Sequence, residues 1–359
     1  MEPVKNAKHE PDLELIRHAD TREQLREGRR ACQSRIEYLY AEMPIAAWTA
    51  LVNDMHDEVA ARAAAVCEKE LKEAGYGPPP VPYALVVFGS SGRRESTPWS
   101  DQDNGLIVSD EASGHKDKYF AAFGRRLSDL LEYAGYEKCK GKVMCSEPAW
   151  NQTLGQWRHR LAGWHRDLSW ENVRNLMIAS DLRWIAGDPS LAAAWKSCFA
   201  HGLNESPETA TAILRNTVRH KATLNILGQV VTERFGEHAG EFDVKYGVYI
   251  PLVNSIRYMA LQEGVHETST LKRLEKLTLL DGGNLLFENC QRAFLTALTL
   301  RASATYTLRN GVYSSSGYLP QTELKQKPLL YKLRESLTTV RRTHRALQRR
   351  LRFAEKGRL

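Results

Sequence analysis

Ala84-Leu-Val-Val-Phe-Gly-Ser-Ser-Gly-Arg-Arg-Glu-Ser-Thr-Pro-Trp-Ser-Asp-Gln-Asp-Asn-Gly-Leu-Ile-Val108 is the stretch that decides the fold. Residues 84–88 are apolar and rich in β-branched side chains, and they stop at Gly89, as a buried strand entering a tight turn does. Gly89 can adopt backbone angles closed to other residues, so the main chain there can come close to a phosphate. The Ser90 hydroxyl and the first N–H groups of a following helix can then donate to its oxygens. Ser91 and Gly92 prolong the turn, and Arg93 and Arg94 carry guanidiniums suited to bidentate contact with a triphosphate. Asp101 to Val108 reads as a second strand that opens polar and closes apolar. With a side-chain period of two, Asp101 and Asp103 share one face. Two carboxylates on one face repel unless a cation lies between them, and hard oxygen ligands select Mg²⁺ or Mn²⁺.

Each half of this pattern is weak alone. A Gly-Ser pair is most often only a turn, and a lone Asp-x-Asp is usually a solvated strand end or a cap. Strand, Gly-Ser, a ten-residue interval, Asp-x-Asp and strand together suggest nucleotidyl transfer. One or two divalent ions on Asp101 and Asp103 would bridge the phosphates of a nucleoside triphosphate, neutralise the leaving pyrophosphate and activate an attacking hydroxyl in line.

The segment from Phe88 to Asn104 resembles the signature of a family of nucleotidyltransferases often found with cyclic-nucleotide-binding and cystathionine-β-synthase-type domains. That family is similar to the PII-protein uridylyltransferases, within the DNA polymerase β-like superfamily. The resemblance continues through Cys139-Lys-Gly-Lys-Val-Met144, Glu147-Pro-Ala-Trp150, the segment of Trp157 and Trp164, Asp181-Leu-Arg183 with Gly187-Asp188, and Asp243-Val-Lys245 through Arg257 to Thr270. It implies that Gly89 and Ser90 bind nucleotide and that Asp101 and Asp103 are the metal-binding catalytic pair. It also implies a polymerase β-like core and an acceptor hydroxyl on a protein, such as a PII-type regulator, rather than on a nucleic acid. Asp243-x-Lys245 resembles a segment that follows the transferase core in the uridylyltransferases, where Lys245 could contact phosphate with Asp243 orienting it. The alternative is a helix-start Asp beside a surface Lys. The chain departs from the family at Glu95-Ser96 and at Glu147-Pro148, and the superfamily's third carboxylate has no obvious counterpart. Glu137 and Glu147 flank a candidate third strand over 140–146, and either could serve. Were neither to reach the metals, a catalytically silent nucleotide sensor would be the reading.

Composition sets wider bounds. The chain has 359 residues, 42% hydrophobic and 26% charged, which is ordinary for a water-soluble protein of two or three domains. The N-terminal residues lack the apolar stretch of a signal peptide, and no run approaches the ~18 apolar residues of a membrane helix, so a cytoplasmic location is expected. Six cysteines at 32, 67, 139, 145, 198 and 290 include no C-x-x-C pair and no nearby His to complete a zinc site, so reduced, mostly buried thiols are expected. The net charge of +7 comes from the tail, where residues 341–359 hold eight Lys or Arg against one Glu and the other 340 residues balance. Leu330, Leu333, Leu337, Val340, Leu347 and Leu351 recur there at helical spacing. That favours an amphipathic helix with solvated arginines over a nucleic-acid surface, because a single aromatic residue, Phe353, stands among the arginines where a single-strand binder would interleave several. An RNA-end transferase is the reading that the tail would otherwise support.

The expected class is α+β, with a small mixed-sheet core flanked by helices. An N-terminal helical segment covers 1–75, and Gly75-Tyr-Gly-Pro-Pro-Pro-Val-Pro82 breaks it. The transferase core with a tryptophan-rich extension covers 83–200, and an all-helical domain covers 205–359. A helix over 120–134 connects the second strand to the third. His56, between Asp54 and Asp57, reads as a capped or surface helix histidine. Trp150, Trp157 and Trp164 are spaced by sevens, which on one continuous helix makes a stripe, better read as a core seam than as a wall for base stacking. No His-Asp pair in the helical half has partner histidines at suitable spacing, so a uridylyl-removing activity is not expected.

Overall fold

The computed structural model describes residues 13–219, 224, 228–283 and 285–356. The first twelve residues, which bear on the leader expectation, and the last three of the basic tail lie outside that set. The chain divides into two compact units. The first comprises residues 1–155, 183–193 and 308–314, and the second comprises 156–182, 194–307 and 315–359.

In chain order the helices are α1 (Glu14–Arg17), α2 (Arg22–Leu39), α3 (Ile45–Glu73), α4 (Gly89–Gly92), α5 (Lys116–Tyr133), α6 (Leu154–Arg166), α7 (Trp170–Ala179), α8 (Pro189–Glu205), α9 (Pro207–Thr217), α10 (Ile250–Gln262), α11 (Thr270–Leu280), α12 (Leu285–Ala302), α13 (Gln321–Leu324) and α14 (Lys327–Lys356). The strands are β1 (Tyr83–Val87), β2 (Asn104–Val108), β3 (Asn151–Thr153), β4 (Arg183–Gly187), β5 (Phe242–Asp243), β6 (Tyr306–Arg309), β7 (Val312–Ser315) and β8 (Tyr318–Leu319).

The first unit is built on a four-stranded mixed sheet in the order β3-β2-β1-β4. β1 pairs antiparallel with β2, from Tyr83 opposite Val108 to Val87 opposite Asn104, and antiparallel with β4 on its other edge. Every residue of β1 and β2 is buried. That is why both read as continuous apolar runs without alternation. β3 joins β2 in parallel, Leu106 opposite Asn151, and a parallel neighbour needs a crossover, which α5 supplies. The expected third strand over 140–146 does not form. Those residues make a turn-rich strap in which Lys142 has φ of 56°, and the strand begins only at Asn151. α2 starts at Thr21, whose Oγ1 accepts the Gln24 N–H at 3.3 Å, and its buried face packs on α3. α3 packs in turn on α5, so the N-terminal helices share one core with the sheet, and the Pro-rich segment 78–82 is the link from α3 to β1.

The second unit is mainly helical. Its one ribbon, β5 paired antiparallel with β8, Phe242 opposite Leu319, departs from the all-helical expectation for 205–359, as does the β6–β7 ribbon, most of which belongs to the first unit. Trp157 meets Trp164 edge-on at 6.3 Å and Trp195 at 5.8 Å, and Trp195 stacks on Phe199. These rings form a packed core seam, as their spacing predicts for Trp157 and Trp164. Trp150 lies outside it, in a 3₁₀ turn of the first unit, against Phe88 at 4.9 Å. Asp181 is fully buried between two buried arginines, Arg257 and Arg273, with Arg257 also donating to Asn254 Oδ1 at 2.6 Å. α14 buries Leu333, Leu337, Val340 and Leu347 and packs on α12, as the amphipathic reading of the tail anticipates. No helix among the described residues is long and apolar enough to cross a membrane.

Candidate active site

The candidate site lies in the first unit, where β1 ends and β2 begins. β1 runs out at Val87, the Phe88 N–H donates to Asp103 C=O at 3.0 Å, and the chain turns at Gly89 with φ of 55°. That left-handed angle favours glycine, and a second constraint acts at the same atom. A Cβ at Gly89 would collide with Asp103 Oδ2 and stand 3.3 Å from its Cγ. The turn and the Asp103 carboxylate are therefore in direct contact. The first backbone bond inside the turn runs from the Gly92 N–H to Phe88 C=O at 2.8 Å. The N–H groups before it, at Gly89, Ser90 and Ser91, are those that a first turn leaves without an intrahelical acceptor.

Residues 101–104 approach the regular strand as an extended strap. Gln102 donates its N–H to Glu137 C=O and Asn104 donates its own to Val143 C=O, both at 3.0 Å. Gln102 and Asn104 are buried, while Asp101 and Asp103 face outward between them, so the alternation begins before the ladder does. The buried amides hold this register. Gln102 Nε2 donates to Ser128 C=O at 3.1 Å, and Asn104 Oδ1 accepts the Cys145 N–H at 2.9 Å. Asp101, Asp103 and Cys139 offer ligand atoms that all lie within 4.8 Å of one another. Burial, with the two carboxylates beside it, pushes the Cys139 thiol up to about 12. Among the described residues neither Glu137 nor Glu147 joins this group. Glu137 instead accepts from Ser314 Oγ at 2.7 Å and lies 3.6 Å from Lys140.

The two arginines after the turn have partners inside the fold. Arg93 is buried against Glu95, with Nε donating at 2.8 Å. Arg94, at φ of 57°, pairs with Asp54 and Asp57 of α3. Asp57 also takes Arg183 of β4 in a bidentate pair at 2.6 and 2.8 Å, and Arg183 donates to Ser91 C=O at 2.8 Å. Burial raises the Asp57 pKa, and Arg183 opposes the rise. Asn53 holds the other side of the loop, accepting the Ser96 N–H at 3.1 Å, and Ser96 Oγ lies 3.3 Å from Ser90 Oγ and 3.1 Å from Ser91 Oγ. Asn53, Asp57 and Arg183 position the turn; the sequence marks Arg183 only as part of the family resemblance and Asp57 only as a neighbour of His56, and does not mark Asn53. Their signal is tertiary, since α3 and β4 lie far from residue 89 in the chain.

Behind the carboxylates is a small cavity of about 40 Å³, lined among others by His56, Asp57, Ser91, Gln102 and Tyr136. His56 is neither a cap nor a surface residue. It is buried, with Nε2 3.0 Å from Thr97 C=O and Nδ1 2.8 Å from the Tyr136 hydroxyl. A carbonyl only accepts, so Nε2 carries the proton and Nδ1 accepts from Tyr136. Burial, with Arg29 nearby, lowers the His56 pKa to about 3 and keeps the ring neutral. The Arg29 guanidinium is buried between the Tyr136 and Tyr313 rings and donates to Pro98 C=O at 2.9 Å.

Lys245 belongs to the second unit, where it is exposed at the start of a π-turn, and Asp243 Oδ1 accepts the Tyr246 N–H at 2.8 Å. That is the geometry of a helix-start Asp beside a surface Lys.

Two matches to known families cover most of the chain. Residues 31–171, which include the turn, both aspartates and Cys139, match the family described as "Putative nucleotidyltransferase DUF294". Residues 207–351 match the companion region described as "Putative nucleotidyltransferase substrate binding domain". No curated protein matches the chain. With a strand-turn-strap core in the first match and a helical region in the second, the chain belongs to the DUF294 family of nucleotidyltransferases.

Proposed function

We propose that this nucleotidyltransferase moves a nucleoside monophosphate from a nucleoside triphosphate to a hydroxyl on a protein, in the manner of the PII-protein uridylyltransferases. The observation that carries the reading is the contact between Gly89 and Asp103, which sets the Gly-Ser turn directly against the two carboxylates.

The donor set suits a divalent ion. Asp101 and Asp103 supply hard oxygens from one face, and the missing side chain at Gly89 lets the Asp103 carboxylate lie against the turn, so these two residues would hold Mg²⁺ or Mn²⁺. When bound, the ion would neutralise charge on the phosphates and the leaving group. The chain's own residues do the rest by positioning. Gly89 and Ser90 present backbone N–H groups and a hydroxyl to phosphate oxygens. Arg93 and Arg94 act in this reading by bracing the turn through Glu95, Asp54 and Asp57. Asp57, through Arg183, fixes the Ser91 carbonyl and with it the direction of the turn.

The test is to incubate the purified chain with each α-labelled nucleoside triphosphate, Mg²⁺ or Mn²⁺ and a cell lysate, scoring label on protein and RNA separately. Label on a protein band, lost in the Asp101→Asn/Asp103→Asn variant, is the expected result. Transfer that survives the double change refutes the mechanism. Label on RNA moves the acceptor to nucleic acid, and nucleotide binding without any transfer marks a sensor.

A further inference from the structure

We infer that Cys139 is a third ligand of the Asp101–Asp103 site and that its sulfur makes the site prefer thiophilic divalent cations, of the Zn²⁺, Co²⁺ and Cd²⁺ class, over Mg²⁺. This rests on the reading of the two aspartates as metal ligands and adds a residue that the reading does not require.

The placement of Cys139 is built by the backbone. The strap of Gln102 and Asn104 is bonded to Glu137 and Val143, and Gln102 also bridges Lys138 in parallel register. Cys139 follows immediately on that bridge, and its carbonyl accepts the Lys142 N–H at 2.9 Å, which closes the loop around it. The three donor atoms converge from two separate segments to within 4.8 Å. Ligand lengths of about 2.0–2.3 Å put the donors of one ion roughly 3–4 Å apart, a closure within reach of three partly exposed side chains. Gly89 supports the same point from the other side, since a side chain there would displace the Asp103 carboxylate from this position.

The hard alternative is engaged elsewhere. Glu137 begins the same loop, yet its carboxylate is bonded to Ser314 and lies near Lys140. A set of two carboxylates and one thiol suits borderline and soft ions, whereas Mg²⁺ gains little from sulfur. Binding would form a metal–sulfur bond, break the Cys139 S–H bond and release the proton to solvent. Mg²⁺ would be held by the aspartates alone with the thiol intact, so a thiophilic ion competes for the same two carboxylates.

The experiment uses the full-length protein stripped of metal, titrated separately with Co²⁺, Cd²⁺ and Mg²⁺. The readouts are the thiolate-to-metal charge-transfer absorption and calorimetric affinity. The wild-type protein should show the charge-transfer band at one equivalent. Cys139→Ser should lose it, with Cd²⁺ affinity falling about tenfold or more and Mg²⁺ affinity unchanged within about twofold. A wild-type band that persists in Cys139→Ser, or no wild-type band, overturns the inference. In either case Mg²⁺ binding that vanishes in Asp101→Asn/Asp103→Asn leaves the transferase reading standing. Should Cys139→Ser fail to fold, Cys139→Asp serves. It should bind Mg²⁺ more tightly than the wild type and show no band, and Mg²⁺ binding no tighter than wild type would count against the ligand role.

Discussion

Replacing Gly89 with alanine should disable the site while leaving the fold standing. The added methyl meets two obstacles. At φ of 55° a β-carbon is strained, at about 1–2 kcal/mol. It also collides with Asp103 Oδ2, so the carboxylate must move by roughly 1 Å to reach ordinary contact distance. The strain should lower Tm by only a few degrees, at about 2–4 °C per kcal/mol for a unit of this size. A displacement of about 1 Å at a positioned catalytic group can cost about 100-fold in rate. Circular dichroism on heating, Mn²⁺ affinity by calorimetry, and initial rates with labelled nucleoside triphosphate separate the two effects. Gly163→Ala is the control, because a β-carbon at Gly163 meets nothing within 4 Å. Wild-type Mn²⁺ affinity and rate in Gly89→Ala would refute the argument that the turn and Asp103 form one site.

Other expectations follow from the same contacts. His56 is neutral when folded, with a pKa near 3, whereas in the unfolded chain it titrates near 6.5. The unfolded state therefore binds the extra proton between those values. Its contribution is intact above about pH 6.5 and falls by about 1.4 kcal/mol per pH unit below it, to a loss of roughly 2 kcal/mol at pH 5. His56→Gln should flatten that acid limb in urea unfolding series, and an unchanged slope would contradict the assignment. Asp181→Ala leaves Arg257 and Arg273 buried without their acid, which should cost about 3–5 kcal/mol and be visible as an early unfolding transition. Arg183→Met removes the link from Asp57 to the Ser91 carbonyl, so the KM for nucleoside triphosphate should rise while metal affinity holds. Equal loss of both would mean that the whole unit is destabilised.

Much of the site was legible because its parts are close in sequence. Gly89 follows β1 and Asp103 precedes its neighbour β2, so strand periodicity and glycine chemistry suffice to predict two acids beside a turn. Cys139 was passed over because thiol sites are sought by spacing to other Cys or His, and its partners here are carboxylates some 35 residues earlier, brought close by the crossover through α5. His56 reads as a surface residue because Asp54 and Asp57 around it look like a solvated face, although those acids pair with Arg94 and Arg183 and His56 itself is buried. The segment 140–146 was misread as a strand because its apolar residues, Val143 to Cys145, are buried under the strap rather than in a ladder.

The sequence by itself determined the two central strands, the glycine turn between them, the outward pair of aspartates and the apolar stripe of α14. Those features depend on local backbone preference and side-chain period, which act over a few residues. Only the tertiary structure decided that α3 and β4 brace the turn, that Ser314 engages Glu137, and that a thiol rather than a third carboxylate stands beside the aspartates. Those contacts join residues tens to hundreds of positions apart. They are set by how helices cover a sheet and by which buried charges find partners, and neither leaves a periodic trace in the chain.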